Sequence, residues 1–227
     1  MLELLLKKKK KKKLKQELEV DEELDVKQRL AQQSVQKQLQ VLDLRGWLIT
    51  IGFILGAAAL RVPMQTIPSA EPITFFALLG GWLFGKRKGF LIGAGALYAS
   101  NFLVFGGQGL WTIFQAIGFG LAGFLGSFLT KKAKIWQTVT ITLAATVIFE
   151  IVVNIGSILT FPMPMIPLLM GAIPFAIIHL TSNTAFALLL PKTKEFIYKK
   201  GEFDQREICN KLLDKFNQLK QMRVKKK

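Results

Sequence analysis

Apolar residues run in blocks along this chain, and the blocks are long enough to act as spans rather than as faces of soluble helices. Six of them, at 46–62, 73–85, 89–105, 110–130, 135–160 and 168–190, reach or approach the roughly 20 helical residues that cross a hydrocarbon core of about 30 Å. The second block is short. It is expected to begin earlier, near Ala70, with Glu71 at the outer surface. The pattern predicts an all-α integral membrane protein, a bundle of six transmembrane helices. It also divides the chain into a charged N-terminal extension (1–45), a membrane domain (46–191) and a basic C-terminal tail (192–227).

Charge sharpens this division. Of the 46 charged residues only nine fall within 46–191: Arg61, Glu71, Lys86, Arg87, Lys88, Lys131, Lys132, Lys134 and Glu150. The connectors 86–88 (Lys-Arg-Lys) and 131–134 (Lys-Lys-Ala-Lys) each follow an even-numbered span. The alternate connectors, 63–72, 106–109 and 161–167, hold no Lys or Arg. Positive residues are retained in the cytoplasm, so both basic connectors and both termini are expected to be cytoplasmic, in a cell (plasma) membrane. The lysine-free connectors carry Pro63, Pro68, Pro72, Pro162, Pro164 and Pro167, which cap the spans rigidly because proline fixes φ and lacks a donor. Pro174 lies inside the sixth span, where it should kink the helix or leave a carbonyl free.

The net charge of +16 does not point to nucleic acid. Both signs are mixed in the tails, and such tails orient a membrane protein or meet anionic lipid headgroups. Residues 7–13 are seven consecutive lysines, a self-repelling block that favours solvent or lipid. Residues 16–43 are rich in helix formers. In the C-terminal tail Phe203, Ile208, Leu212, Phe216 and Leu219 recur, the last four at helical spacing, which fits a short surface helix or a plain solvated tail. The single cysteine, Cys209, permits no intrachain disulfide and reads as a cytosolic thiol.

Polar side chains at membrane depth are costly unless they face protein or water, which makes them the functional candidates. Three pairs at i, i+4 share a helix face: Trp111 with Gln115, Glu150 with Asn154, and His179 with Asn183. Tyr98 and Asn101 join the same inventory. At about 1.5 Å per residue, the three faces converge in the outer half of the bundle on an expected substrate-binding cavity. Trp111 fits an interfacial belt equally well. Gln115, Asn154 and Asn183 also fit interhelical hydrogen bonding. His179 fits simple packing, and Glu150, the one acid within the spans, fits either a ligand contact or a structural pair with His179.

Gly118, Gly120 and Gly123 spell GxGxxG. No strand precedes them, so this is not a dinucleotide fingerprint. With Gly126 they offer small-residue surface for close helix approach. Gly52 and Gly56 offer the same on the first span, for internal packing or for contact with a partner. There is no HExxH, Cys/His cluster, GxSxG or phosphate loop, so no enzyme activity, metal or cofactor is expected.

The stretches GQGLWTIFQAIGFGLAG (107–123) and IPFAIIHLTSNTAFALLLP (173–191) resemble the fourth and sixth helices of the substrate-binding S components of energy-coupling factor transporters. The six-span layout is similar too, and the resemblance covers residues 46–191. It implies a vitamin-type micronutrient captured at the outer side, with a membrane coupling subunit and separate ATPase subunits as partners. It also implies a coupling-subunit contact on the first helix, to which Gly52, Gly56 and Ala57–Ala59 correspond loosely. The charged N-terminal extension lies outside the family pattern. The alternative class is a non-transport membrane scaffold whose basic tails recruit partner proteins. The topology has a direct check. An impermeant thiol reagent applied to intact cells should label single cysteines placed in 106–109 and spare those placed in 86–88 or 131–134; labelling of the basic connectors would overturn it.

Overall fold

The computed structural model describes residues 2–161, 164–198 and 202–224, with side chains from Val26 onward apart from a few near the C-terminus. Pro162, residues 225–227 and the side chains of 7–13, Phe203 and Leu219 lie outside the described residues. Among the described residues all regular structure is helical: α1 (Leu2–Met64), α2 (Ile73–Phe84), α3 (Lys86–Ser100), α4 (Trp111–Gly126), α5 (Ile135–Thr160), α6 (Met165–Tyr198) and α7 (Glu202–Val224). The chain forms two compact units, residues 1–45 with 201–227, and Gly46–Lys200.

In the first unit the charged extension is helical from Leu2. No glycine or proline interrupts residues 2–45, and Lys, Glu, Gln and Leu are strong helix formers. The tail from Glu202 is likewise a 23-residue helix. Ile208 and Leu212 are exposed on it, whereas Cys209 is buried. Arg206 Nη2 lies 2.9 Å from Asp43 Oδ1, an exposed pair contributing no more than about 1 kcal/mol.

In the second unit, α5, α6 and the apolar part of α1 are long and apolar enough to cross a membrane, and α2 and α4 are shorter apolar helices. Several boundaries differ from the sequence pattern. α2 begins at Ile73, not near Ala70, because Pro72 caps it. α3 takes in the basic run from Lys86 and ends at Ser100, short of 105. α4 stops at Gly126, before Thr130. α6 does not stop at Leu190 but runs through both Pro174 and Pro191 to Tyr198. Pro191 offers no N–H to the carbonyl four residues back. The Thr138 hydroxyl of α5 sits 3.5 Å from that carbonyl, Ala187 O.

Three helices owe their proximity to glycine. A Cβ on Gly93 would lie 2.0 Å from Phe119 O, one on Gly123 2.0 Å from Gly89 O, and one on Gly81 1.9 Å from Gly123 O. The backbones of α2, α3 and α4 therefore touch, as small residues permit in membrane bundles. Gly85, at φ +85°, joins α2 to α3 in one residue, a conformation that suits glycine. By contrast, a Cβ on Gly52 or Gly56 would meet nothing within 4 Å, so neither glycine serves packing within the unit.

The core brings together Ala57, Ile73, Ala96, Leu97, Phe119 and Phe149. Phe53 of α1 packs edge-on against Phe76 of α2, centroids 5.6 Å apart. Outward, Ile151, Ile155 and Leu159 of α5 and Ile166, Met170, Ile173 and Ile177 of α6 are all exposed. A patch this large suits lipid, not water.

At the end bearing the basic connectors, Trp82 Nε1 donates to Thr130 O at 2.8 Å, and Lys194 donates to Lys131 O while lying over the Trp82 ring at 4.0 Å. Lys88 covers Trp47 at 4.8 Å. Long cationic side chains lie along apolar surface here in the manner of snorkelling residues.

Substitution should separate the two glycine classes. Gly93→Ala and Gly123→Ala are expected to lower stability by about 1–3 kcal/mol, as overpacking does, while Gly52→Ala leaves the thermal unfolding midpoint in detergent unchanged or slightly raised.

Candidate functional site

On α5 a polar residue recurs every fourth position: Thr138, Thr142, Thr146, Glu150 and Asn154. At 3.6 residues per turn each step drifts about 40°, so the seam winds gradually round the helix. The three threonines are fully buried. Thr142 donates to Thr138 O at 2.7 Å and Thr146 to Thr142 O at 2.9 Å. Each hydroxyl is thus satisfied by its own helix, and polar groups persist at depth without an unmet donor.

α6 faces this seam with His179 and Asn183, both buried. Asn183 Nδ2 donates to Thr146 Oγ1 at 2.9 Å and to Thr74 Oγ1 at 3.3 Å, tying α6 to α5 and α2. One turn away along α6, His179 Nδ1 lies 2.7 Å from Glu150 Oε1. The ring is walled by aromatics, with Phe149 edge-on at 4.9 Å and Phe119 at 6.3 Å between centroids. His179 Nε2 is buried with no hydrogen-bond partner, as is Asn183 Oδ1.

Beside the Glu150–His179 pair opens a cavity of about 360 Å³, within the range of small-molecule pockets. α5 contributes Glu150, Asn154 and Ser157, α6 contributes His179 and Phe175, α4 contributes Gln115, and the connector before α2 contributes Ser69 and Glu71. Asn154 Nδ2 donates to Glu150 O at 2.8 Å. Ser69 has φ +59°, unusual for a non-glycine, and its carbonyl accepts from Ser182 Oγ of α6 at 3.4 Å. The cavity wall on this side is therefore a constrained turn tied to α6.

Of the six residues singled out as the binding set, Gln115, Glu150, Asn154 and His179 line this one cavity. Trp111 and Asn183 are not among its lining residues. Trp111 stacks on Phe161, itself in the wall, with centroids 6.4 Å apart and planes 20° from parallel. Asn183 lies deeper and joins helices. Tyr98 is exposed and packs on Phe102.

Glu71, on the connector before α2, is partly buried. Its Oε1 takes a 3.0 Å ion pair from Arg61 Nη2, it lines the cavity, and its Oε2 is buried without a partner. Arg61 Nη1 also donates to Ser100 Oγ (2.8 Å) and Asn101 Oδ1 (2.6 Å). Asn101 Nδ2 passes the network to Thr112 Oγ1 at 3.1 Å. One guanidinium thereby clamps α1, α3 and the α2 connector, with α4 reached through Asn101. The sequence contained a signal for it: Arg61 and Glu71 are the only charges near the lysine-free side of the membrane domain besides Glu150.

The profile of a family of unknown function, DUF6580, matches residues 43–204, nearly the span of the second compact unit. No curated protein and no solved structure matches this chain.

The clamp has a thermodynamic consequence. Arg61→Met leaves the Glu71 carboxylate without its cation, and a loss of about 2–4 kcal/mol is expected, as for a partly buried pair broken on one side. Adding Glu71→Gln should recover part of that loss. Thermal unfolding of the single and double variants gives the coupling, and additive effects would show that the pair is not the clamp.

Proposed function

We propose that this chain, which belongs to the DUF6580 family, is the substrate-capturing membrane subunit of a micronutrient (vitamin-type) uptake transporter energised by separate ATPase subunits. In this reading α1 to α6 make six crossings of the plasma membrane with both termini cytoplasmic. The short helices α2, α3 and α4, about 18–24 Å long, complete their crossings with the turns that flank them. The observation that carries the proposal is the cavity. Four polar residues from three different helices, Gln115, Glu150, Asn154 and His179, line one space of about 360 Å³ together with the proline-rich connector at Ser69 and Glu71. That connector belongs to the side whose connectors hold no Lys or Arg, which is the outer side if positive residues stay inside. A cavity placed there can take a ligand from the exterior.

The remaining parts fit the same reading. The similarity of 107–123 and 173–191 to S components covers α4 and α6, which both line the cavity. Gly52 and Gly56 lie on a part of α1 where added side-chain atoms meet nothing, and that open face suits a membrane coupling subunit. One observation favours a different class. The charged helices of residues 1–45 and 201–227 form a compact unit of their own, as a scaffold that recruits cytosolic partners would. Affinity purification separates the two: an ATPase pair and a coupling protein support transport, and partners lost on deleting the tails support scaffolding.

Ligand capture is tested by titrating the purified full-length protein with vitamin-sized compounds by calorimetry. Glu150→Ala or His179→Ala should weaken binding about 10–100-fold, the equivalent of one charge-assisted hydrogen bond, while the protein stays helical and monodisperse. Unchanged affinity in both variants would remove the site assignment.

A further inference from the structure

The charges around the cavity are one-sided. Its lining includes two carboxylates, Glu71 and Glu150, the imidazole of His179, and no lysine or arginine. The nearest guanidinium, Arg61, is committed to Glu71 Oε1, Ser100 Oγ and Asn101 Oδ1. Against Glu150 the structure sets only His179, through a single contact at 2.7 Å. The other ring nitrogen of His179, 2% exposed, has no partner, and neither has Glu71 Oε2. The walls add three aromatic rings, Phe149, Phe161 and Phe175.

An ionised carboxylate accepts hydrogen bonds and cannot donate them. A ligand that complements this wall brings donors and positive charge. An anion would meet Glu150, against which no lysine or arginine is set, and the unpartnered Oε2 of Glu71, whose other oxygen alone is held by Arg61. In a medium of low dielectric such repulsion is far stronger than in water. The faces of phenylalanine rings are also electron-rich and attract cations. A flat ring system fits between them by stacking or edge contact. The uncharged lining residues Gln115, Asn154, Ser157 and Ser69 supply both donors and acceptors, so they set orientation and leave the sign of the charge to Glu71 and Glu150.

We infer that the cavity takes an organic cation: a small molecule with a flat aromatic or heteroaromatic ring and a protonated or permanently charged nitrogen, held by Glu150 and Glu71 with its ring among Phe149, Phe161 and Phe175. This rests on the capture reading above and adds the charge class of the captured compound. The Glu150–His179 contact makes His179 a positioning residue. It holds one carboxylate oxygen of Glu150 and so fixes the direction in which the group meets the ligand.

The test uses three probes that share an indole ring and differ in charge: tryptamine (cationic), indole-3-propionamide (neutral) and indole-3-propionate (anionic). Each is titrated into the purified full-length protein in lipid nanodiscs. Tryptamine should bind at least about tenfold more tightly than the anion, with the amide between them, as expected where like charges would be juxtaposed. Glu150→Gln, which keeps the shape and removes the charge, should weaken tryptamine and narrow the ratio. Equal or tighter binding of the anion by the unmodified protein overturns the inference whether or not the variant folds, and so does a folded Glu150→Gln protein with an unchanged ratio. Failure of all three probes to bind at millimolar concentration overturns the charge class as stated. If vitamin-sized compounds then bind in the calorimetric titration, the capture reading survives, and if none does, both fall.

Discussion

Hydrocarbon offers no hydrogen-bonding partners, and the polar groups of the Gly46–Lys200 unit are arranged around that constraint. The seam on α5 shows how it is met. Thr138, Thr142 and Thr146 turn their hydroxyls back to their own helix, so three polar side chains are buried without asking anything of a neighbour. Only then do they act outward: Thr146 accepts from Asn183, and Thr138 sits beside the Ala187 carbonyl that Pro191 cannot serve. A helix that runs through two prolines is tolerated because adjacent helices carry such groups. Without the seam, His179 would lose its contact with Glu150 and Asn183 would keep only Thr74 of α2.

Close packing and open space are divided between different parts of the unit. Where α2, α3 and α4 meet, glycines at 81, 89, 93 and 123 let backbone touch backbone, leaving no room for a ligand. Toward α5 and α6 the interhelical residues grow larger and more polar. Phe119 and Phe149, 4.2 Å apart, separate the two regions and wall His179. The cavity lies beyond them, at the end where the connectors are held by proline and by the Arg61 network. A tight three-helix wedge thus acts as the fixed wall against which the α5–α6 pair sets its polar face, and preorganised side chains are what a binding site requires.

Two side-chain pairs fix this end, and they differ in kind. Arg61–Glu71 is embedded in further hydrogen bonds to Ser100 and Asn101, which is how a partly buried pair offsets its desolvation. Glu150–His179 has one contact, and each pair leaves one buried atom unmet, Glu71 Oε2 in the first and His179 Nε2 in the second. A group left unsatisfied in a folded protein calls for an explanation, and a site that binds something supplies one. The first pair ties the connector to α1 while lining the cavity through Glu71, and both members of the second lie in the cavity wall.

Much of this was legible in the chain itself. The apolar blocks, the alternation of basic and proline-rich connectors and the scarcity of charge between 46 and 191 gave the helical order, because hydropathy and helical period are properties of local sequence. The same reasoning placed Gln115, Glu150, Asn154 and His179 on faces that do meet, since a spacing of four is readable without coordinates. The threonine repeat on α5 was equally readable but is silent in composition, because each threonine satisfies itself. Tertiary structure decided the rest. It put Asn183 at a junction of three helices and Trp111 against Phe161. It freed Gly52 and Gly56 from packing while fixing Gly93 and Gly123, and it drew Glu71 to Arg61 across ten residues. Those outcomes depend on which helix lies beside which and at what distance, and interhelical distance is set by side chains far apart in sequence.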